Sequence, residues 1–290
     1  MNGFVKATKQ QLKLRLALIG PSGSGKTYTA LSIAQNLGGR VAVIDTERAS
    51  ASKYADLFAF DVCELDTFSP DTYARVIEQA SCAGYDTLII DSLSHAWMGK
   101  DGALEQVDKA AKRSASGNSF NAWREVTPMH NALVNAILTA NCHVIATMRA
   151  KTEYIIEKDS NGKSAPRKVG LAPVQRDGLE YEFDVVADMD LDNNMIVSKS
   201  RCPALTGQVI AKPGSEVAQI LLDWAGSGEP PIACEGDDCG RIIEAATLAG
   251  KTYSAAELAE LTFKRYKKRL CKHCIQAVEN AKNATAHASA

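Results

Sequence analysis

The stretch Leu14-Arg15-Leu16-Ala17-Leu18-Ile19-Gly20-Pro21-Ser22-Gly23-Ser24-Gly25-Lys26-Thr27-Tyr28 decides the fold. Its first part is a largely apolar run of strand length that ends at Gly20. Residues 26–37 then carry helical spacing and stop at Gly38-Gly39, a strong helix terminator. Strand, glycine-rich loop and helix in that order make a phosphate cradle. Glycines let the backbone wrap an anion, amide hydrogens and the helix N-terminus face it, and Lys26 reaches the outer phosphates. Gly20, Pro21, Ser22, Gly23, Ser24, Gly25, Lys26, Thr27 and Tyr28 are the predicted contacts of ATP, with the Thr27 hydroxyl on magnesium.

Outward from this loop, strands and helices alternate. Residues 41–45 form a second β-rich run, and 70–83 read as a helix opened by proline in its first turn. Residues 87–90 form a third buried strand ending at Asp91, 103–113 and 121–139 are helical, and 143–147 make a fourth strand. The pattern predicts an α/β fold, a mostly parallel sheet sandwiched by helices. Beyond Thr147 the runs become short and β-like, at 154–157, 183–189 and 195–198, around the hairpin signal Asp159-Ser160-Asn161-Gly162; this reads as a mixed or antiparallel extension. A helix over 216–224 precedes Gly226-Ser227-Gly228-Glu229-Pro230-Pro231, which has the composition of a linker. The expected organisation is an N-terminal oligomerisation arm (1–12), a nucleotide-binding core (13–226), a linker (227–231) and a small C-terminal module (232–290).

The 290 residues are 46% hydrophobic and 6% aromatic with a net charge of −1, so nucleic-acid binding would have to come from local basic patches. No run approaches the roughly 18 apolar residues of a membrane helix, and residues 1–11 lack an apolar signal core, which predicts a cytoplasmic protein without a membrane partner. In a reducing compartment the eight cysteines are free thiols or metal ligands. Cys63, Cys82, Cys142 and Cys202 are scattered through apolar segments and read as core filler. Cys234 and Cys239, then Cys271 and Cys274, form two close pairs that match a four-thiolate structural zinc site, and the module resembles a treble-clef or zinc-ribbon finger. Between the pairs, Phe263-Lys264-Arg265-Tyr266-Lys267-Lys268-Arg269-Leu270 mixes cations with aromatics. It suits a surface that tracks phosphates and stacks a base, and equally the solvated face of a helix or a contact to another protein.

The run Leu88-Ile89-Ile90-Asp91 supplies a second magnesium ligand, Asp91, at a buried strand end. Many ATPases of the AAA type place a glutamate directly after that aspartate; Ser92 stands there instead, so the base must come from elsewhere. Glu47, in Asp45-Thr46-Glu47 just past the second strand, resembles the strand-end glutamate that RecA-type recombinases use as catalytic base. Thr147 resembles a polar sensor facing the same phosphate. Lys199-Ser200-Arg201 resembles the element of RecA-like helicases that reaches into a neighbouring subunit's ATP, although a solvated basic strand end carries the same residues.

Together with these motifs, Lys13-Leu14-Arg15-Leu16-Ala17-Leu18, Thr147-Met148-Arg149-Ala150-Lys151-Thr152-Glu153-Tyr154 and Pro173-Val174-Gln175-Arg176-Asp177-Gly178-Leu179-Glu180-Tyr181-Glu182-Phe183-Asp184 make residues 4–224 resemble phage-encoded nucleotide-binding proteins with a RecA core, the Sak-type single-strand annealing ATPases. The resemblance implies ATP-dependent work on single-stranded DNA in phage recombination or replication, by annealing or strand exchange. It further implies a homo-oligomer with ATP sites shared between subunits in the bacterial host cytoplasm. Phe4-Val5-Lys6-Ala7 is similar to the Phe-x-x-Ala peptide by which recombinases dock onto the next protomer. Arg149, Lys151, Lys158, Lys163, Arg167, Lys168 and Arg176 concentrate positive charge where RecA-like proteins carry DNA-facing loops, and a solvated hairpin would look the same. Two other classes stay in view. A P-loop small-molecule kinase does not need Glu47, Lys199 and Arg201. An ATP-switched adaptor, loading another replication protein through the zinc module, would bind ATP with negligible hydrolysis.

Overall fold

A computed structural model describes residues 9, 11–113, 119–158, 164–237, 239 and 241–288. Along the chain come β1 (Arg15–Gly20), α1 (Lys26–Leu37), β2 (Val41–Asp45), β3 (Asp61–Glu64), α2 (Pro70–Cys82), β4 (Thr87–Asp91), α3 (His95–Met98), α4 (Ala103–Arg113) and α5 (Ser119–Thr139). They are followed by β5 (His143–Lys158), β6 (Ser164–Pro173), β7 (Val185–Met189), β8 (Asn194–Ser200), β9 (Val209–Ala211), α6 (Ser215–Gly226), β10 (Ala246–Leu248), β11 (Lys251–Tyr253), α7 (Ala255–Tyr266) and α8 (Lys272–Ala288). The chain divides into two compact units, Lys13–Ala225 and a smaller one of Gly226–Ala290 with Met1–Leu12.

The larger unit is an α/β fold around a sheet in the order β3-β2-β4-β5-β1-β7-β8-β9. Its strands are parallel from β3 to β7, while β8 and β9 run antiparallel. Strands buried on both faces explain why the runs are continuously apolar rather than alternating. On β1, Ala17 and Ile19 join the core under α2 and α5, whereas Leu16 and Leu18, with Leu14 just before the strand, join the core under α1 and α6. The helix ends follow local chemistry: Ser69 accepts the Thr72 amide at 3.2 Å ahead of Pro70, and α1 stops where Gly38 takes φ 82°.

The arrangement that positions the site is the insertion of β5 between β1 and β4. Leu18 pairs with Thr147, Ile90 with Ala146, and Asp45 with Asp91, so the carboxyl ends of four strands stand side by side, where open α/β sheets form their ligand crevice. Arg15, read from sequence as one member of an apolar run, is 5% exposed and pins this arrangement from the other end of the sheet. Its guanidinium donates to the carbonyls of Leu14, Cys142, Leu138 and Ala140 at 2.6–3.0 Å, gathering the last carbonyls of α5 and the approach to β5.

Three expectations change. Of the four cysteines read as core filler, Cys142 and Cys202 are buried, whereas Cys63 and Cys82 are exposed. The fourth strand does not stop at Thr147: β5 continues to Lys158, and the separate run expected at 154–157 is its outer half, paired antiparallel with β6. β3, four exposed residues at the sheet edge, carries no apolar alternation and gave no strand signal. The hairpin signal at 159–162, Lys163 and the docking peptide Phe4–Ala7 lie outside the described residues.

In the smaller unit α7 opens on a capping box in which Ser254 and Glu257 bond each other's backbone amides. Ile243, Leu258, Leu270 and Ile275 pack with the cysteines into a core of its own. The segment with linker composition has backbone partners: Gln11 N donates to Glu229 O and Glu229 N to Lys9 O, each at 2.9 Å. Among the described residues no helix is long and apolar enough to cross a membrane.

Candidate nucleotide site

The loop between β1 and α1 borders a cavity of about 690 Å³, within the range of small-molecule sites. Gly25 sits at φ 77°, a conformation glycine adopts without strain, and a Cβ there would overlap the Asn193 Oδ1 atom from the β7–β8 turn. Lys26 Nζ donates to the Pro21 carbonyl at 2.7 Å across the loop. Burial pulls the Lys26 ammonium below its ordinary value, with Asp91 and Glu47 opposing the shift.

Asp91 is 2% exposed at the end of β4. Its Oδ2 accepts the Thr27 hydroxyl at 2.7 Å and its Oδ1 the Thr147 hydroxyl at 2.5 Å, while its carbonyl accepts the Thr46 amide at 2.8 Å. Burial pushes this carboxyl above its ordinary value and the two hydroxyls pull it part of the way back. A buried carboxylate beside a loop hydroxyl suits a hard, oxygen-seeking cation.

Glu47 lines the same cavity. Arg149 holds it: Nη2 donates to both carboxylate oxygens at 2.9 Å, Nε donates to Oε1 at 3.0 Å, and Ser92 Oγ adds a bond of 3.3 Å. Burial works to raise Glu47, and the Arg149 guanidinium outweighs it, leaving the carboxylate below its ordinary value. Arg149 was expected on a DNA-facing loop. It stands instead on the nucleotide cavity, because β5 emerges between β1 and β4 and delivers Arg149, two residues past Thr147, beside Glu47.

Sequence reading missed Thr46, His95 and Asn193. Thr46 Oγ1 accepts the Ser92 amide at 2.8 Å and shares a 2.7 Å bond with His95 Nδ1, which ties the ends of β2 and β4 together. Tyr28 borders the cavity with Tyr54, their rings meeting edge-on at 5.7 Å. No short motif marks such contacts, since they join residues far apart in sequence.

The family model for an AAA domain, AAA_24, matches residues 12–216. The chain belongs to this AAA family. Protein RecA of Citrifermentans bemidjiense is 27% identical over 238 residues, 79% of this chain and 65% of that protein. Protein RecA of Phytoplasma mali is 35% identical over 86 residues and that of Clostridium acetobutylicum 36% over 84, in each case 27% of this chain and 25% and 24% of the relatives. The AAA domain is thus a RecA-like, ATP-binding P-loop ATPase domain, and the chain spans less than two thirds of the RecA proteins it matches.

Other residues expected at sites of this AAA protein have different company. Lys199 Nζ donates to the carbonyls of Glu180, Tyr181 and Phe183 at 2.6–3.2 Å, and Arg201 pairs with Asp184 at 2.9 Å. Both sit at the β8 end beside the start of β7, and the phosphate loop lies at the opposite end of the neighbouring β1. Lys151 is exposed and Arg176 half-buried, while the side chains of Arg167 and Lys168 lie outside the described residues. In the smaller unit the basic run is largely neutralised: Lys264 pairs with Glu260, Arg265 with Glu279 and Lys268 with Asp237 at 2.6–3.2 Å, while Lys267 turns the C-terminus of α7.

The sulfurs of Cys234, Cys239, Cys271 and Cys274 all lie within 4.8 Å of one another, and Cys239 and Cys271 are 3.7 Å apart. A tetrahedral ion with zinc–sulfur distances of about 2.3 Å separates its ligands by roughly that amount. Cys234 Sγ accepts amides from Gly236 at 3.4 Å and Cys271 at 3.2 Å, and a Cβ on Gly236 would come within 2.5 Å of Cys274 Sγ. Burial works to raise the Cys271 thiol, but the Cys274 amide and the neighbouring thiols outweigh it and hold it at about 7.

Because Asp91 is a buried carboxylate held above its ordinary value, Asp91→Asn is expected to raise the melting temperature of nucleotide-free, chelator-treated protein while removing ATP hydrolysis. A lower melting temperature would mean that the carboxylate stabilises the fold rather than the ligand.

Proposed function

We propose that this chain hydrolyses ATP with Glu47 as general base and uses the cycle to act on single-stranded DNA, in phage-type recombination or replication, as a homo-oligomer. The observation that carries the reading is the convergence of Lys26, Thr27, Asp91 and Glu47 on one cavity at the carboxyl ends of parallel strands. The loop amides and Lys26 hold the outer phosphates, Thr27 and Asp91 hold magnesium, and Thr147 keeps the Asp91 carboxylate oriented. Magnesium, when bound, neutralises charge on the phosphates. Glu47 takes a proton from the water whose oxygen attacks the terminal phosphorus, and the bond to the bridging oxygen of ADP breaks. The DNA reading is supported by the sequence resemblance, with Lys151, Arg167, Lys168 and Arg176 as its candidate contacts. Arg201, 54% exposed and paired with Asp184, and Lys199, bonded to three carbonyls of its own chain, are the candidates for action in a neighbouring subunit.

In the smaller unit the four thiols are proposed to hold one structural zinc. The distances between sulfurs, the amide bonds to Cys234 and the close approach of Gly236 support this. So does the small size of the core, which needs a staple.

Glu47→Gln is expected to keep ATP binding and lose turnover by at least about 100-fold, the order of a general base. The wild type should be stimulated by single-stranded DNA more strongly as protein concentration rises and salt falls. Full turnover by the variant would remove the base assignment, and indifference to DNA at every concentration would remove the DNA reading. Metal analysis of the purified protein is expected to give about one zinc per chain, lost together with the fold of the smaller unit on replacing Cys271 and Cys274 by serine; metal-free, folded protein would contradict the zinc assignment.

A further inference from the structure

The Glu47–Arg149 pair is built in a way that opposes the task given to Glu47. Oε1 already accepts from Arg149 Nε, Arg149 Nη2 and Ser92 Oγ, and Oε2 accepts from Nη2. Each carboxylate oxygen offers two lone-pair directions, so three donors crowd those of Oε1 and a fourth takes one of the two on Oε2, which lowers the basicity of the group. A base whose proton affinity is lowered in this way is a poor acceptor for a proton from water. The pair therefore has to open before Glu47 can work.

The surroundings show what can open it. The backbone of Arg149 is fixed, its amide donating to Ser94 Oγ at 2.9 Å and its carbonyl accepting from Val174 at 2.7 Å. Its side chain is 43% exposed. Arg149 lines the cavity that also holds Lys26, Thr27 and Asp91, and it lines a second cavity of about 700 Å³ shared with Glu47, His95 and Lys100. The side chain has room to pivot while the strand end stays in place. Two of the three terminal oxygens of a phosphate offer a guanidinium a fork of acceptors like that of a carboxylate, with more charge.

We propose that Arg149 is a positioning residue that trades the Glu47 carboxylate for the terminal phosphate of ATP, so that Glu47 is released as base only when a third phosphate is present. ADP ends one phosphate short and leaves the pair closed. The exchange rests on the reading of Glu47 as base and adds to it a sensing step within a single chain. In the step that follows, the water oxygen bonds to the terminal phosphorus, its proton passes to Glu47, and the electron pair of the broken bond stays on the bridging oxygen of ADP. Glu47 then returns the proton to solvent and takes Arg149 back.

The test compares affinities for adenosine 5′-(β,γ-imido)triphosphate and for ADP, with magnesium, in the wild type, Arg149→Ala, Arg149→Lys and Glu47→Gln. Loss of one charge-assisted contact in Arg149→Ala is expected to weaken the triphosphate about ten-fold while leaving ADP nearly unchanged. Arg149→Lys should restore part of that loss. Glu47→Gln, which frees the guanidinium, should bind the triphosphate more tightly than the wild type with ADP unaltered. A purely structural role would weaken both nucleotides together, and equal losses, or no loss, would overturn the exchange; if Arg149→Ala does not fold, the other two variants carry the same comparison. Turnover by Glu47→Gln with the triphosphate-to-ADP difference intact would remove the base reading and leave the exchange standing.

Discussion

A single buried carboxylate holds the site together. Asp91 closes β4, and its two oxygens take hydroxyl hydrogens from the phosphate loop through Thr27 and from β5 through Thr147, while its carbonyl takes the Thr46 amide at the end of β2. The ends of β2 and β4, the start of α1 and the middle of β5 are thereby held together at one residue. Leaving such a group ionised in the interior is costly, which is why it is surrounded by donors and faces a cavity where cations belong. A buried charge of this kind costs stability locally, and at the other end of the sheet Arg15 satisfies four carbonyls with one side chain.

The same strand order explains the control of Glu47. Placing β5 between β1 and β4 brings Thr147 against Asp91 and, two residues later, Arg149 against Glu47. One strand thus supplies both the hydroxyl bonded to the carboxylate proposed to bind metal and the cation paired with the proposed base. Its continuation pairs with β6 as an antiparallel extension whose base, Ala150 with Pro173, begins at the very next residue. Anything that shifts this extension is mechanically close to Arg149, and so the extension and the chemistry share a backbone.

How much of this was legible in the sequence depends on distance along the chain. The phosphate loop was readable because its glycines, lysine and threonine act within eight residues, at offsets set by backbone geometry. Asp91 was readable because it ends an apolar run, and the cysteine pairs because each is a local knuckle. Arg149 was assigned to DNA because its neighbours are basic; its partner Glu47 lies 102 residues away and is reached only through the strand order, which no local pattern encodes. The ion pairs of the basic run 264–269 were likewise not read from sequence, since its partners Asp237, Glu260 and Glu279 are either distant or across one helical turn. β5 was cut short at Thr147 because it passes from a doubly buried half to an outer half with a different partner, and β3 was invisible because an exposed edge strand needs no apolar alternation.

The central claim is that the terminal phosphate of ATP lies between the loop lysine and the Glu47–Arg149 pair. The measurement that tests it most directly is a crystal structure of the protein with magnesium, ADP and beryllium fluoride, in which the fluoride group marks that phosphate. The account requires the mark to sit beside Lys26, with the Arg149 guanidinium turned onto it and Glu47 freed. A mark placed away from Lys26, or an Arg149 still forked onto Glu47 with the site filled, would contradict it.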